Sequence, residues 1–481
     1  MAETQNNSAL LNRKEWQTMT PALTATAAGS AVIADDTGNN NVALYVASNT
    51  VHYLYHHDED DFVQIPSGAF AVAIAAGACG TYHPWGTTKT ANGGTTTTIT
   101  VAAASFNITG FIVGKVVRFL SGTAANIGLE RTVTNINNDG GSGNITITLD
   151  SALPSAVVNT DTFASTAGSF FFLNAGTLAA TNYFKRFDIE TQVWSNLAIT
   201  GLSATWGTDG RMVTPSIYGT SYDTGTVTSA TGTTIDCTGK GWTSSQWINY
   251  QVRITGGLGI GQVRVITAND SDTLTTAAWT TTPDATSTFA IEGDDNAIYI
   301  LGNNAVTLYK YSISGNTSAT VSPAAARAGA PVAGMTANFV GHTGITGWDT
   351  ITNIKDGRYI FSLRGGGGAI LDRYDIATLS WVATTGIIYN SPTTFATGTS
   401  AFWNGRYLYI AKEGTAAIPQ RFYKYSLRGN YLKPVTTDWY LGGAALLGGK
   451  MWIKNLSTVG AVKWLYCLQS TSTVLRRIML F

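Results

Sequence analysis

The stretch Arg373-Tyr-Asp-Ile-Ala-Thr-Leu-Ser-Trp381 decides how this chain is read, because variants of it recur along the whole length. Phe187-Asp-Ile-Glu-Thr-Gln-Val-Trp194 is a near copy and keeps the seven-residue step from aromatic to Trp. Tyr55 and Phe62 keep the same step, while Tyr309-Lys-Tyr-Ser312 and Tyr423-Lys-Tyr-Ser426 repeat the front half. Alternate aromatics on an extended segment share one face. The Asp and Thr that follow carry side chains able to bond nearby backbone N–H groups in a turn. The unit therefore predicts a strand, a polar turn and a returning strand. Tyr55, Phe62, Phe187, Trp194, Tyr374, Trp381 and Tyr425 are expected in the core of the repeat.

Outward from these units lie further apolar strands introduced by Gly: Gly357-Arg-Tyr-Ile-Phe361, Gly405-Arg-Tyr-Leu-Tyr409 and Gly449-Lys-Met-Trp-Ile453. Their spacing of about 45 residues matches the period of propeller blades. Blade one is read from residue 41 to 65, and residues 70–76 are expected to open blade two, which resumes at Gly168-Ser-Phe-Phe-Phe172. Arg211-Met-Val-Thr-Pro215 opens blade three, which resumes at Ala297-Ile-Tyr-Ile300. Blades four, five and six centre on 357–404, 405–448 and 449–481. The two detours are copies of one another. Val117-Arg-Phe-Leu-Ser-Gly122 matches Val252-Arg-Ile-Thr-Gly-Gly257, Arg131-Thr-Val-Thr134 matches Arg264-Val-Ile-Thr267, and Thr162-Phe-Ala164 matches Thr288-Phe-Ala290. Short strands broken by Gly, Asn and Asp make each a small β domain. The expected division is residues 1–40 as an N-terminal arm and first strand, 41–94 with 167–224 and 293–481 as the repeat body, and 95–166 and 225–292 as inserted modules. Trp16-Gln-Thr-Met-Thr-Pro21 looks like the strand that ends each repeat. Trp16 and Met19 are thus placed either in a closure of the last blade by the N-terminus or in an assembly arm on a neighbouring subunit.

Composition agrees with an all-β chain. Charged residues make up 12% of the 481 residues, against about 25% in ordinary soluble domains. Lys plus Arg and Asp plus Glu are 29 each, so no basic face for nucleic acid is implied. Cys79, Cys237 and Cys467 lie far apart and fit neither a disulfide framework nor a zinc pattern. No apolar run reaches membrane-helix length, and the opening residues show no basic segment followed by an apolar core, so no signal peptide is expected.

Several stretches invite chemistry, and each has a plainer reading. Gly257-Leu-Gly-Ile-Gly-Gln262 suggests a phosphate loop, but a strand pattern follows where a helix would be needed; it reads as a hairpin turn. His56-His-Asp-Glu-Asp-Asp61 gathers metal-type ligands in the place of the polar turn of the other repeats, where few of them can converge on one ion. Cys79 and His83 form a candidate thiol–imidazole pair in what reads as a loop. Ser221-Tyr-Asp-Thr-Gly225 is similar to the Asp-box turn of sialidase-like propellers but has no closing Trp. Asp349, Asp356 and Asp372 are candidate acids for glycoside hydrolysis, though spacing alone cannot pair them. Trp85, Trp242, Trp247, Trp348 and Tyr431 can stack on sugars if exposed. No catalytic residue, metal or cofactor is expected.

The aromatic-Asp-Ile-x-Thr-x-x-Trp units at 374–381 and 187–194 resemble kelch repeats. That resemblance implies a β-propeller of about six blades, here with two inserted small β domains. The pattern Val252-Arg-Ile-Thr-Gly-Gly-Leu-Gly-Ile-Gly-Gln-Val-Arg264 followed by Trp279-Thr-Thr-Thr-Pro-Asp284 is similar to small β modules of tailed-bacteriophage virion proteins. It implies a non-enzymatic structural part of the tail, neck, collar or nozzle region, located in the virion and assembled in the host cytoplasm. Other virion proteins and further copies of the chain are the expected partners, with no membrane and no specific nucleic acid. Gly122 and Asn126 in the first module and Gly257, Gly259 and Gly261 in the second are expected at projecting tips. The rival reading is a receptor- or glycan-binding propeller, a fibre-like adhesin on a host surface glycan. A glycan hydrolase is the third.

Overall fold

The computed structural model describes residues 78–103, 112–138, 143–174, 183–197, 221–301 and 308–321 continuously, and elsewhere mainly the strands named below. Among the described residues every regular element is a β-strand. Six sheets have four antiparallel strands each, two have seven, and Gly176–Thr177 pairs with Thr205–Trp206 in a two-stranded ribbon.

Five of the six four-stranded sheets run through the chain as successive hairpins or with one long detour. Sheet one comprises Ala31–Ala34, Val42–Val46, His52–His56 and Asp61–Ile65. Sheet two takes Cys79–His83, then Ser169–Leu173, Phe184–Asp188 and Val193–Asn196. Sheet three takes Arg211–Val213, then Ala297–Leu301, Leu308–Ser312 and Thr317–Thr320. Sheet four is Asn338–Gly341, Tyr359–Arg364, Ile370–Asp375 and Ser380–Val382. Sheet five is Ser400–Trp403, Leu408–Lys412, Arg421–Ser426 and Tyr431–Pro434. Sheet six joins Met451–Asn455, Lys463–Leu468 and Leu475–Leu480 to Gln17–Thr18 from the other end of the chain. The first strands of consecutive sheets touch, and that of sheet six touches that of sheet one.

The seven-residue step has a direct geometric meaning. In the third-to-fourth-strand hairpins it places the two aromatics opposite one another, as Tyr55↔Phe62, Phe187↔Trp194 and Tyr374↔Trp381. Their ring centroids lie 4.6, 5.1 and 5.4 Å apart, within the range of favourable aromatic pairs. Tyr425↔Leu432 keeps the step with an aliphatic partner. The Asp after the first aromatic closes the turn. Asp188 Oδ1 accepts from the Thr191 N–H at 2.9 Å and the Thr191 hydroxyl at 3.1 Å, and Asp375 Oδ1 accepts from the Ala377 N–H at 3.0 Å. Apolar contacts then join neighbouring sheets: Val42, Leu44 and Leu54 of sheet one share a core with Phe170, Phe172 and Phe187 of sheet two. Phe171 and Phe184 of sheet two do the same with Ile298, Ile300 and Tyr311 of sheet three.

Two expectations from the sequence change. Sheet two opens with Cys79–His83; Ile74 is not in a strand, and the rest of residues 70–76 lie outside the described residues. Met451–Asn455 is the first strand of its sheet, whereas the Gly-led strands Tyr359–Arg364 and Leu408–Lys412 are second strands. The three Gly-led segments are therefore not equivalent, and the N-terminal strand takes fourth place beside Leu475–Leu480.

Both seven-stranded sheets lie in the chain between the first and second strands of sheets two and three. The first has the order Lys89–Thr90, Thr162–Ser165, Val116–Ser121, Glu130–Asn138, Asn144–Leu149, Thr98–Ala102, Gly93–Gly94. The second has Asp223–Thr226, Thr288–Glu292, Gln251–Gly256, Val263–Asn269, Thr273–Thr276, Thr234–Asp236, Ser229–Ala230 in the same connectivity. The two end strands of each order are neighbours in the chain. Between them Ala91 N–H donates to Asp161 O and Asn92 N–H to Thr100 O; the copy repeats this as Val227 to Ser287 and Thr228 to Asp236.

Candidate functional site

Each module presents one arginine between two core residues of a strand. Val117 and Phe119 point into the first module's core, and Val252 and Ile254 into the second's. The alternation of a strand puts the residue between them, Arg118 or Arg253, on the opposite face. Those two faces meet. Arg118 Nε donates to Glu130 Oε1 at 2.8 Å, and Arg118 Nη1 lies 2.5 Å from Asp295 Oδ2 in the segment leaving the second module. Arg253 Nη1 reaches the other oxygen of Glu130 at 3.5 Å, while its Nε donates to Glu292 Oε2 at 3.2 Å. Its Nη2 closes a second bond to Glu292 Oε1. The result is an alternating chain Asp295–Arg118–Glu130–Arg253–Glu292 that crosses from one module to the other.

The segment leading into the first module completes the junction. Trp85 Nε1 donates to Asp295 Oδ2 at 3.0 Å, and the Arg118 guanidinium lies 4.2 Å from the Trp85 ring centre. His83 Nε2 lies 2.6 Å from the Asp295 carbonyl oxygen. Burial and the nearby Arg186 push the His83 imidazole below its usual range, so the ring is neutral at pH 7 and donates through one nitrogen. Burial opposes ionisation of Asp295, but the Arg118 charge overrides it and holds the carboxyl below the usual carboxylate range. At Glu292 burial wins over Arg253 and raises the carboxyl. Buried ion pairs add little net stability, but they fix geometry, and stranding one partner costs about 3–5 kcal/mol.

The turns expected at projecting tips flank this junction. Gly261 has φ 89°, and a Cβ there would stand 2.9 Å from the Glu130 backbone nitrogen, so the second module's turn rests on residues 129–130 of the first. Gly257 has φ 73°, and a Cβ would come 2.2 Å from Thr286 O, so only glycine fits. Gly259 sits against the Gln262 carboxamide and Gly122 against Asp161. Asn126 is buried; its amide donates to Ser155 O at 3.0 Å, so it builds its own turn from within. Large aliphatic side chains are exposed here, Leu120 and Ile127 in the first module and Leu258 and Ile260 in the second.

Other sequence candidates fall elsewhere. The 257–262 stretch joins two antiparallel strands, as a hairpin turn does. Cys79 and His83 lie at opposite ends of one strand, about 13 Å apart at the usual rise, which rules out the thiol–imidazole pair and corrects the loop reading. Trp85, Trp242 and Trp247 are buried, and Asp223 accepts from Trp242 Nε1 at 2.7 Å; these rings cannot stack on a sugar. Tyr431 is half-buried with Lys433 Nζ 5.0 Å from its ring centre. His56 stands opposite Asp61, and Glu59 is exposed. Among the described residues no three His, Cys, Asp or Glu side chains are grouped to hold a metal, and no helix is long and apolar enough to cross a membrane. Asp372 lies in the third strand of sheet four. Trp16, Met19, Trp348, Asp349 and Asp356 lie outside the described residues. Sequence reasoning missed the ionic junction, whose one visible trace was the duplicated Arg in Val117-Arg-Phe and Val252-Arg-Ile.

No family model matches the chain, and no curated protein does. Among solved structures it is similar to the phage phi92 endosialidase, with a TM-score of 0.27 and 11% identity over 100% of this chain. The chain spans 60% of that protein's chain, and so slight a likeness establishes neither a shared fold nor a shared activity.

Proposed function

We propose that the chain is a six-bladed kelch-like β-propeller carrying two small barrel-like modules on consecutive blades, and that it is a non-enzymatic structural part of a tailed-phage virion. The propeller reading is supported by six four-stranded sheets whose first strands touch in cyclic order, and by Gln17–Thr18 completing the sheet built by the C-terminus. In this reading residues 41–94, 167–224 and 293–481 are the body, 95–166 and 225–292 the modules, and 1–40 the arm and first strand. A segment that pairs on one side before residue 91 and on the other after it, repeated at 227–228, supports a closed barrel for each module.

The observation that carries the function is the ionic chain from Arg118 through Glu130 to Arg253. It holds two copies of one module in a single fixed arrangement, with aliphatic side chains exposed beside the contact. Such a unit suits a part that works by presenting surfaces to protein neighbours in the tail, neck, collar or nozzle region. It suits a sugar reader poorly, since the module tryptophans are buried. Electron cryo-microscopy of the purified protein tests this. A disc of six radial sheets with two adjoining lobes, in a multimer of one fixed copy number, is the expected result. A monomer that binds a host-surface glycan panel or cleaves it would sink the structural reading and favour the adhesin or the hydrolase.

A further inference from the structure

Lys89, Asp188 and Glu190 form a second buried cluster, away from the module junction. Lys89 lies in Lys89–Thr90, the end strand of the first seven-stranded sheet, and Asp188 and Glu190 lie at the third-to-fourth-strand turn of sheet two. All three are at least nine-tenths buried. Lys89 Nζ stands 3.1 Å from Glu190 Oε2 and 3.8 Å from Asp188 Oδ2. The surroundings bind the Asp188 carboxyl firmly. The Thr87 N–H and hydroxyl both donate to Oδ2 at 2.6 Å, and the Thr191 N–H and hydroxyl donate to Oδ1. Ser165 Oγ donates to Glu190 Oε2 at 2.8 Å. The Arg186 guanidinium, held by the carbonyl oxygens of Trp85 and Gly86, adds its charge near Asp188.

These positions supply every part of an acyl transfer: an amine, a carboxyl carbon, a proton carrier touching the amine, and two donors on one carboxyl oxygen. We propose that Lys89 and Asp188 condense to an amide cross-link, with Glu190 as the proton carrier. Glu190 relays one proton from the Lys89 ammonium to Oδ1 of the Asp188 carboxylate, and the freed Nζ attacks Cγ of the now neutral acid, forming the C–N bond. Negative charge on Oδ2 is met by the two Thr87 donors, as in an oxyanion hole. Glu190 then carries the second proton from nitrogen to Oδ1, the Cγ–Oδ1 bond breaks, and Oδ1 leaves with both protons as water. One amide and one water form from one ammonium and one carboxylate, with no oxidant or co-reactant. Burial raises the Glu190 carboxyl despite Lys89, with Asp188 adding to the rise, which suits a group that must hold and release a proton. The bond would tie the start of the first module to the turn of its own blade.

The intact mass of the purified full-length protein decides the matter. The expected value is lower than the sequence mass by one water, and digestion should yield a branched peptide joining the segments around Lys89 and Asp188. Lys89→Arg and Glu190→Gln should each restore the sequence mass, and thermal unfolding of Lys89→Arg should begin earlier. A wild-type protein at its full sequence mass, or one whose missing water maps elsewhere, overturns the proposal whatever the variants do.

Discussion

Gln192, Leu379 and Asn316 occupy the same place in three hairpins, last in the turn before the returning strand, and have φ of 55°, 52° and 47°. A left-handed backbone costs a non-glycine residue about 1–2 kcal/mol, with Asn the mildest case. Leu379→Gly is therefore expected to raise stability by about 0.5–1 kcal/mol, once the looser unfolded chain is counted, while Asn316→Gly changes little. Urea midpoints measure both; a lower midpoint for Leu379→Gly would mean its half-exposed side chain matters more than its backbone. His52 sets a second residue-scale expectation. Burial, opposed by the Ser48 carbonyl and aided by Lys185, lowers its imidazole to about 4. The unfolded ring titrates near 6.5, so between those values the unfolded chain binds more protons and stability falls as pH drops. The loss amounts to about 3 kcal/mol at pH 4 and below. His52→Gln should flatten the wild-type decline in denaturation midpoint between pH 6.5 and 4, and an unchanged slope would refute the assignment. The seven-residue aromatic step was legible in the sequence because pairing across a four-residue turn demands it. The left-handed site was not, because Gln, Leu and Asn share no side-chain signal.

At the scale of elements, strand pattern carried the sheets further than it carried the site. Alternating aromatics located the paired strands of the repeats, and the duplication aligned the two modules. Which outward faces would meet depended on contacts between Glu130 and Arg253, far apart in sequence and set in no motif. The Gly-led strand at 449–453 misled for a related reason: a first and a second strand of such a sheet are both apolar and Gly-led, and only the pairing partners distinguish them. The same cramped geometry makes Gly80 informative, since a Cβ there would stand 2.7 Å from Phe171 O and closer still to the Ile33 side chain. Glu130 is the element-scale test of the junction. Glu130→Ala leaves Arg118 and Arg253 without their shared carboxylate, and is expected to cost about 3–5 kcal/mol. Hydrogen exchange should rise on Val116–Ser121 and Gln251–Gly256 together. Faster exchange on one strand alone would mean that the modules are not coupled through this residue.

For the whole molecule, the decisive contact is a two-residue pairing, Gln17 opposite Arg477 and Thr18 opposite Arg476. Sheet six has three strands from the C-terminal end, so without residues 17–18 the strand Leu475–Leu480 becomes an unpaired edge, a known route to aggregation. Among the described residues the other five four-stranded sheets follow the chain in order, two of them around an inserted module, while this one joins the two ends of the sequence, which makes it a latch for the cyclic set of contacts. The sequence left two readings of this arm open, closure or attachment to a neighbour, and they predict different things on truncation. Removing residues 1–20 should lower the denaturation midpoint and promote aggregation if the latch acts within one chain. If the arm belongs to a neighbouring subunit, the truncated protein should instead remain as stable folded monomers by light scattering. Thr18→Cys with Arg476→Cys sharpens the contrast. Within one chain the pair should oxidise to an intramolecular disulfide and raise stability, by about 6 kcal/mol on the chain-entropy model for so long a closed loop. Covalent dimers on a non-reducing gel would assign the strand to a second copy.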